Sequence, residues 1–142
     1  MLSIMKQSLP GITAIDYIEC SSLPDNLEMK AMVGIPIGIF VSMTEVPFSG
    51  VPTCVTDSDY DSHAQVERSV LTFQSTEDLP IRGCLAFIIR DANGKHWLMG
   101  HKEAPYPVIK RTQHLGVPES EKAGYVYEVT LIGRKALVPV TV

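Results

Sequence analysis

The sequence predicts a mainly β protein, a single-domain antiparallel β-barrel or sandwich of about eight or nine strands with one short helix. Stretches rich in β-branched residues recur along all 142 residues, and turn-forming Gly, Pro, Asn and Asp separate them. Helical periodicity is clear in one place only. The composition, 45% hydrophobic and 20% charged, is that of a globular chain with a proper core.

The length fits one β-rich domain over residues 1–142, with residues 1–10 as a candidate extended arm. The apolar excess over a sparsely charged surface suggests an oligomer, because a subunit that buries its flanks against neighbours needs fewer charges. Two further segments, residues 49–63 and 114–124, are rich in Gly, Pro and Ser.

The first strand is expected over residues 11–20, where β-branched residues occur throughout both alternating sets of side chains. A helix of about two turns should follow near residues 25–33. Asp25 with Glu28 three residues later predicts a capping box, and Gly34 a C-terminal cap. Leu27, Ala31 and Met32 would then face inward.

Residues 35–46 predict one long strand, with Pro36 at its start, where a missing backbone donor matters least. Further strands are expected along the rest of the chain, near residues 51–58, 64–75, 83–91, 95–102, 106–113, 124–133 and 136–142.

The stretch "RDANGKHW" predicts a β-hairpin. Asp91 at the first turn position and Gly94 at the fourth favour a type I turn with a G1 bulge, which places Asp91 opposite Lys95 and Trp97 on the face of apolar neighbours. A two-residue type I′ turn at Asn93-Gly94 is the alternative. In either register His96 lies near the turn and is expected in solvent.

No spacing among His63, His96, His101 and His114 suggests a metal site. Asp57, Asp59 and Asp61 alternate as in a calcium loop, but Ser62 and Arg68 stand where such a loop needs Gly and Glu. We expect a solvated acidic loop there, with a weak cation site as the alternative.

We expect no catalytic, cofactor-binding or metal-binding residues, and no cofactor. There is no GxSxG, no phosphate-binding glycine motif and no CxxC. Cys20, Cys54 and Cys84 are expected to be free thiols in a reducing compartment. The chain is therefore predicted not to be an enzyme.

Partners are restricted by charge and hydropathy. The net charge is −4 and the basic residues are scattered, which argues against sequence-specific nucleic-acid binding. The longest apolar run, residues 34–41, is too short to span a membrane. The start of the chain is not a signal peptide, so we expect cytoplasmic synthesis.

Residues 104–107, Ala-Pro-Tyr-Pro, predict a stiff corner between two strands. Tyr106 is expected to pack against the domain there. The alternative is an exposed aromatic contact for a partner.

Three stretches resemble small uncharacterised proteins encoded in phages and prophages of Bacteroidetes-type bacteria. They are "LPDNLEMKAMVGIPI", "LAFIIRDANGKHWLMGHKEAPYPVIKRT" and "YEVTLIGRKALVP". The Gly-x-Lys-Glu-x-Pro-Tyr-Pro segment at residues 100–107 and the Arg-Lys-Ala-Leu run at residues 134–137 carry it, and the similarity extends from about Ile12 to the end.

The resemblance implies a virion component of the neck, tail-completion or tail-associated kind, and it brings no functional residues. It also implies that residues 49–63 and 114–124 are arms that contact neighbouring subunits. We therefore expect a non-enzymatic structural subunit whose partners are itself and other virion proteins, located in the virion after cytoplasmic synthesis. The alternative is a small β-barrel binding module, with its ligand in the barrel interior or near residues 101–106.

Overall fold

Two antiparallel sheets form the molecule, as seen in a computed structural model that describes residues 11–61, 64–103, 106–114 and 124–142. In these residues the strands are β1 (Ile12–Glu19), β2 (Thr44–Glu45), β3 (Ser49–Asp61), β4 (Ala64–Ser75), β5 (Leu85–Asp91), β6 (His96–Met99), β7 (Val108–His114), β8 (Gly124–Gly133) and β9 (Val138–Val140). A short 3₁₀ turn (Cys20–Ser22) and helix α1 (Leu27–Met32) follow β1.

The first sheet has the strand order β2-β1-β5-β6-β9, and the second has the order β3-β4-β8-β7. Within the described residues the sheets do not close on one another. The predicted mainly β fold with one short helix is thus confirmed in its sandwich form, and the barrel alternative is not the one adopted.

The main core lies between the two sheets. Every second side chain is buried over residues 69–75 of β4 and residues 127–131 of β8, as the period of two in a strand requires. Phe73 and Tyr127 stack with ring centroids 5.1 Å apart, and Phe87 of the first sheet packs against Phe73. The Tyr127 hydroxyl donates to the carbonyl of Glu77 and accepts from the N–H of Leu79.

A second core lies on the opposite face of the first sheet. Strand β5 contributes to both cores. Leu85, Phe87 and Ile89 face the main core, while Ala86 and Ile88 belong to the second core. Helix α1 and the chain after it cover this second core with Leu27, Ile37 and Ile39. The molecule therefore has three layers, and the outermost is thin.

The hairpin prediction is confirmed in its bulged form. Gly94 has φ +82° and its N–H donates to the carbonyl of Asp91, closing the turn. Ile89 pairs with Trp97, and the N–H of Asp91 donates to Lys95. His96 is half-buried between β5 and β9, so the expectation that it lies in solvent is wrong.

The predicted N-cap of the helix is wrong. Asn26, with left-handed φ 56°, precedes the helix, and no side-chain cap forms. Glu28 does not close a capping box, because its carboxylate accepts the N–H groups of Arg134 and Lys135 instead. Of the three side chains expected to face inward, Leu27 is buried and Ala31 half-buried, but Met32 is 55% exposed.

The C-terminal cap is confirmed. Gly34 takes φ +80°, and the N–H groups of Gly34 and Ile35 donate to the carbonyls of Ala31 and Lys30. This pair of bonds is a Schellman motif.

The long strand expected over residues 35–46 does not form. Only Thr44–Glu45 is a strand, and residue 38 makes an isolated parallel bridge to Thr141. The alternation of Ile37 and Ile39 with outward residues is real, but it serves to cover the second core rather than to extend a sheet.

The strand expected over residues 51–58 is confirmed and is longer than predicted, so the expectation of a solvated acidic loop is wrong as far as residue 61. These residues form β3, and Asp57, Asp59 and Asp61 pair with Arg68, Val66 and Ala64 of β4. Residues 1–10, His63 and most of the second candidate arm lie outside the described residues.

Candidate functional site

An exposed apolar surface lies on the thin outer layer of the molecule. Its large side chains come from α1 and the chain immediately after it. Phe40 is 84% exposed and Met29 and Val33 are each 66% exposed. We call the following set the α1 surface: Met29, Met32, Val33, Ile35, Phe40 and Val41. These six exposed side chains lie within thirteen residues of the chain, and clustered exposed apolar side chains are a feature of interaction sites.

The chain folds this way because only part of an apolar run can be buried. Helix α1 has six residues and the Schellman turn ends it, so one apolar stripe packs inward and the rest face outward. Beyond Pro36, Ile37 and Ile39 fill the second core. Phe40 then turns outward with its ring against Gly38, where an added Cβ would come within 2.5 Å of the ring.

Charge is nearly absent from this segment. Between Glu28 and Glu45 the sequence has one charged residue, Lys30. Removing such a surface from water therefore desolvates few charges, which is the property of interface centres.

A half-open cleft of about 500 Å³ adjoins the α1 surface, between α1, the chain after it and β9. Its apolar walls include Ile35, Ile37, Val138 and Val140. Lys95 and Lys135 stand at the same cleft. Ile35 belongs both to the cleft and to the α1 surface, so the two features are continuous.

Both lysines at the cleft have partners within their own chain. The ammonium group of Lys95 lies 4.5 Å from the centroid of the Trp97 ring, a cation–π contact. The ammonium group of Lys135 is 4.0 Å from a carboxylate oxygen of Glu67. The cleft is thus lined by apolar side chains together with two lysines that already have partners.

His101 is the one titratable side chain buried without a hydrogen-bond partner in the described residues. Both ring nitrogens lack partners, and Nε2 lies 3.9 Å from the Glu28 carboxylate. Burial lowers the pKa of His101, and the carboxylates of Glu28 and Glu103 oppose this shift in part. The ring is therefore neutral near pH 7.

Cys20 contacts His101 through the backbone. The N–H of His101 donates to the Cys20 sulfur, while burial and the neighbouring Cys84 raise the pKa of the Cys20 thiol to about 11. Burial also raises the pKa of Cys54 to about 11. These two thiols are protonated at neutral pH, and protonated thiols are poor nucleophiles. All three cysteines are free, as expected.

The hairpin stretch that is richest in polar residues is held by Asp91. Its Oδ1 accepts the N–H groups of Asn93 and Lys95, and its Oδ2 accepts the indole N–H of Trp97. The bond from Trp97 is the main reason the pKa of Asp91 is lowered. The cluster fixes the turn.

The remaining sequence candidates stay apart. His96 lies on β6, and His114 ends β7 in the other sheet. Across residues 11–61, 64–103, 106–114 and 124–142, no three His, Cys, Asp or Glu side chains are placed to hold a metal ion. Tyr106 is 39% exposed, so its predicted packing against the domain is wrong, whereas Pro107 is buried.

The α1 surface was missed by sequence reasoning. Its signal was present as a run of sixteen residues with one charge, but an apolar run looks the same in a core strand and in an exposed surface.

Comparison of the chain with protein-family models, curated protein sequences and solved structures finds no match. In the described part of the chain, no helix is both long enough and apolar enough to cross a membrane.

Proposed function

We propose that this protein is a non-enzymatic structural subunit that acts through self-assembly and contacts with other proteins. The observation that carries the proposal is the α1 surface, where Phe40 and five other large apolar side chains are exposed beside a single charge. Covering this exposed apolar area with another protein removes it from water and so lowers the free energy of the system.

A place in a phage or prophage particle, as a neck, tail-completion or tail-associated component, is the specific form of the proposal. It rests on the resemblance of residues 12–142 to proteins encoded in such genomes.

The test is the solution mass of the full chain, measured by light scattering behind a size-exclusion column over a concentration series. We expect a discrete mass of two or more chains. A monomer at every concentration up to the millimolar range would contradict self-assembly.

The cleft favours a second candidate, a binding module for a small ligand. A volume of about 500 Å³ lies within the range of small-molecule pockets. Its apolar walls with Lys95 and Lys135 suit a short amphipathic anion. Calorimetric titration of a monomeric sample with octanoate tests this candidate; saturable binding that a Lys135→Ala change weakens is expected.

A further inference from the structure

We propose that Phe40 of one copy inserts into the cleft of a second copy, which inserts its own Phe40 in return. This inference rests on the proposed function, because it names the contact through which the subunits associate. It makes a dimer with two-fold symmetry the unit of assembly.

The first step is the position of the ring. The bridge between Gly38 and Thr141 is flanked by backbone bonds on both sides, from the N–H of Ile39 to Thr141 and from the N–H of Thr141 to Ile37. Ile37 and Thr141 line the cleft. Since the Phe40 ring lies on Gly38, it stands at the rim of the cleft and is 84% exposed there.

The second step is the fit. A dry cavity of about 150 Å³ lined by aliphatic side chains is enough to bind benzene. The cleft has about 500 Å³ and walls that include Ile35, Ile37, Val138 and Val140. The volume of the cleft is therefore larger than a phenyl ring requires.

The third step is the area. With about 150–200 Å² for each fully exposed large apolar side chain, the α1 surface offers on the order of 600 Å² per copy, against about 800 Å² per partner in a standard interface. The surface thus approaches the size of a stable contact. Lys95 and Lys135 already have partners in their own chain, so they can remain at the rim without a new counter-charge.

The fourth step is the symmetry. Each copy carries both the protruding ring and the cleft, side by side on one surface. A two-fold axis places each ring in the other copy's cleft, so that one arrangement forms the contact twice.

The test uses two variants that are each expected to lose association for a different reason. Phe40→Ala removes the ring and leaves the cleft open. Thr141→Trp partly fills the cleft from an exposed position and leaves the ring in place. Val51→Ala, at an 86% exposed position on β3, is the matched control, and circular dichroism melts verify that all three variants fold.

We expect Phe40→Ala and Thr141→Trp each to raise the dissociation constant at least ~10-fold by sedimentation velocity, while Val51→Ala leaves it unchanged. An equimolar mixture of the first two should associate more tightly than either alone, because one intact ring-in-cleft contact returns in the mixed dimer.

Two results would overturn the inference and remain distinguishable. If the wild type assembles and Phe40→Ala assembles equally well, or the mixture is no tighter than its components, the contact is wrong and self-assembly stands. If the wild type is a monomer throughout, the contact and the proposed function fall together.

Discussion

His101 shows at the level of one side chain how burial and hydrogen bonding compete. Its ring is 4% exposed, and neither nitrogen has a hydrogen-bond partner in the described residues. The Glu28 carboxylate that could accept from Nε2 is 3.9 Å away and already accepts two backbone N–H groups. The imidazole ring has therefore lost its hydrogen bonds to water without gaining any within the described residues, which is unfavourable.

His101 should make the free energy of unfolding depend on pH. Burial lowers its pKa below the ordinary 6.5, so the unfolded chain binds the proton more readily than the folded one. Above pH 6.5 the residue has no effect, and as the pH falls below 6.5 the folded state loses stability.

Urea denaturation at pH 7.5, 6.5 and 5.5 measures the slope of the free energy of unfolding against pH. We expect His101→Leu to flatten the slope and the control His96→Leu to retain it. An unchanged slope in His101→Leu would assign the pH dependence to other groups.

Asp91 should be a stabilising residue of the hairpin. Its carboxylate accepts three hydrogen bonds, so Asp91→Ala is expected to reduce the free energy of unfolding by about 1–2 kcal/mol. Asp91→Asn is the matched control, since its amide oxygen can still accept the two backbone N–H groups and loses only the bond from Trp97. Thermal melts should therefore rank wild type above Asn and Asn above Ala; equal melting temperatures for Asn and Ala would assign the stabilisation to Trp97 alone.

At the level of elements, Gly100 determines how the chain leaves β6. Its φ of +147° is open to glycine and strained for other residues, and an added Cβ would overlap the Cβ of Ala86 in the buried strand β5. The glycine therefore permits a close approach of two backbones at the start of the segment that the sequence singled out at residues 100–107.

Gly100→Ala should destabilise the fold by about 2 kcal/mol or more, because strain and overlap add. Gly83→Ala is the control, since an added Cβ there meets no atom within 4 Å. Chemical denaturation of both variants checks the difference. A Gly100→Ala protein as stable as Gly83→Ala would mean that the backbone shifts without penalty.

The elements that the sequence predicted correctly are those with local causes. Strands β1 and β4 follow from alternation, and the bulged hairpin from Asp91 and Gly94 at their turn positions. The prediction of a strand over residues 35–46 failed because the alternation of Ile37 and Ile39 indicates a strand. Tertiary packing instead places both side chains in the second core and leaves one bridge, to Thr141. The cap failed because Glu28 bonds to residues more than a hundred positions away.

At the scale of the whole molecule, the thin third layer links fold and function. It covers the second core with half of its apolar side chains and leaves the other half as the α1 surface. The sequence could not reveal this division, because burial of alternate residues depends on which face of the first sheet the segment meets.

A charge on the α1 surface should disrupt assembly without unfolding the chain. Val33 and Val55 are 66% and 56% exposed, one on the α1 surface and the other on β3. We expect Val33→Glu to weaken self-association at least ~10-fold and Val55→Glu to leave it intact, by light scattering at matched concentrations. If the two substitutions had equal effects on self-association, the interface would not be at the α1 surface.

The most direct measurement is hydroxyl-radical footprinting read by mass spectrometry, which reports for each side chain whether it is protected from solvent in the assembled wild type. We expect Met29, Met32 and Phe40 to be oxidised several-fold more slowly in the assembled wild type than in Val33→Glu, with Val51 and Ile132 oxidised equally in both. Equal oxidation of Met29, Met32 and Phe40 in the two proteins would contradict the claim that the α1 surface is a protein interface.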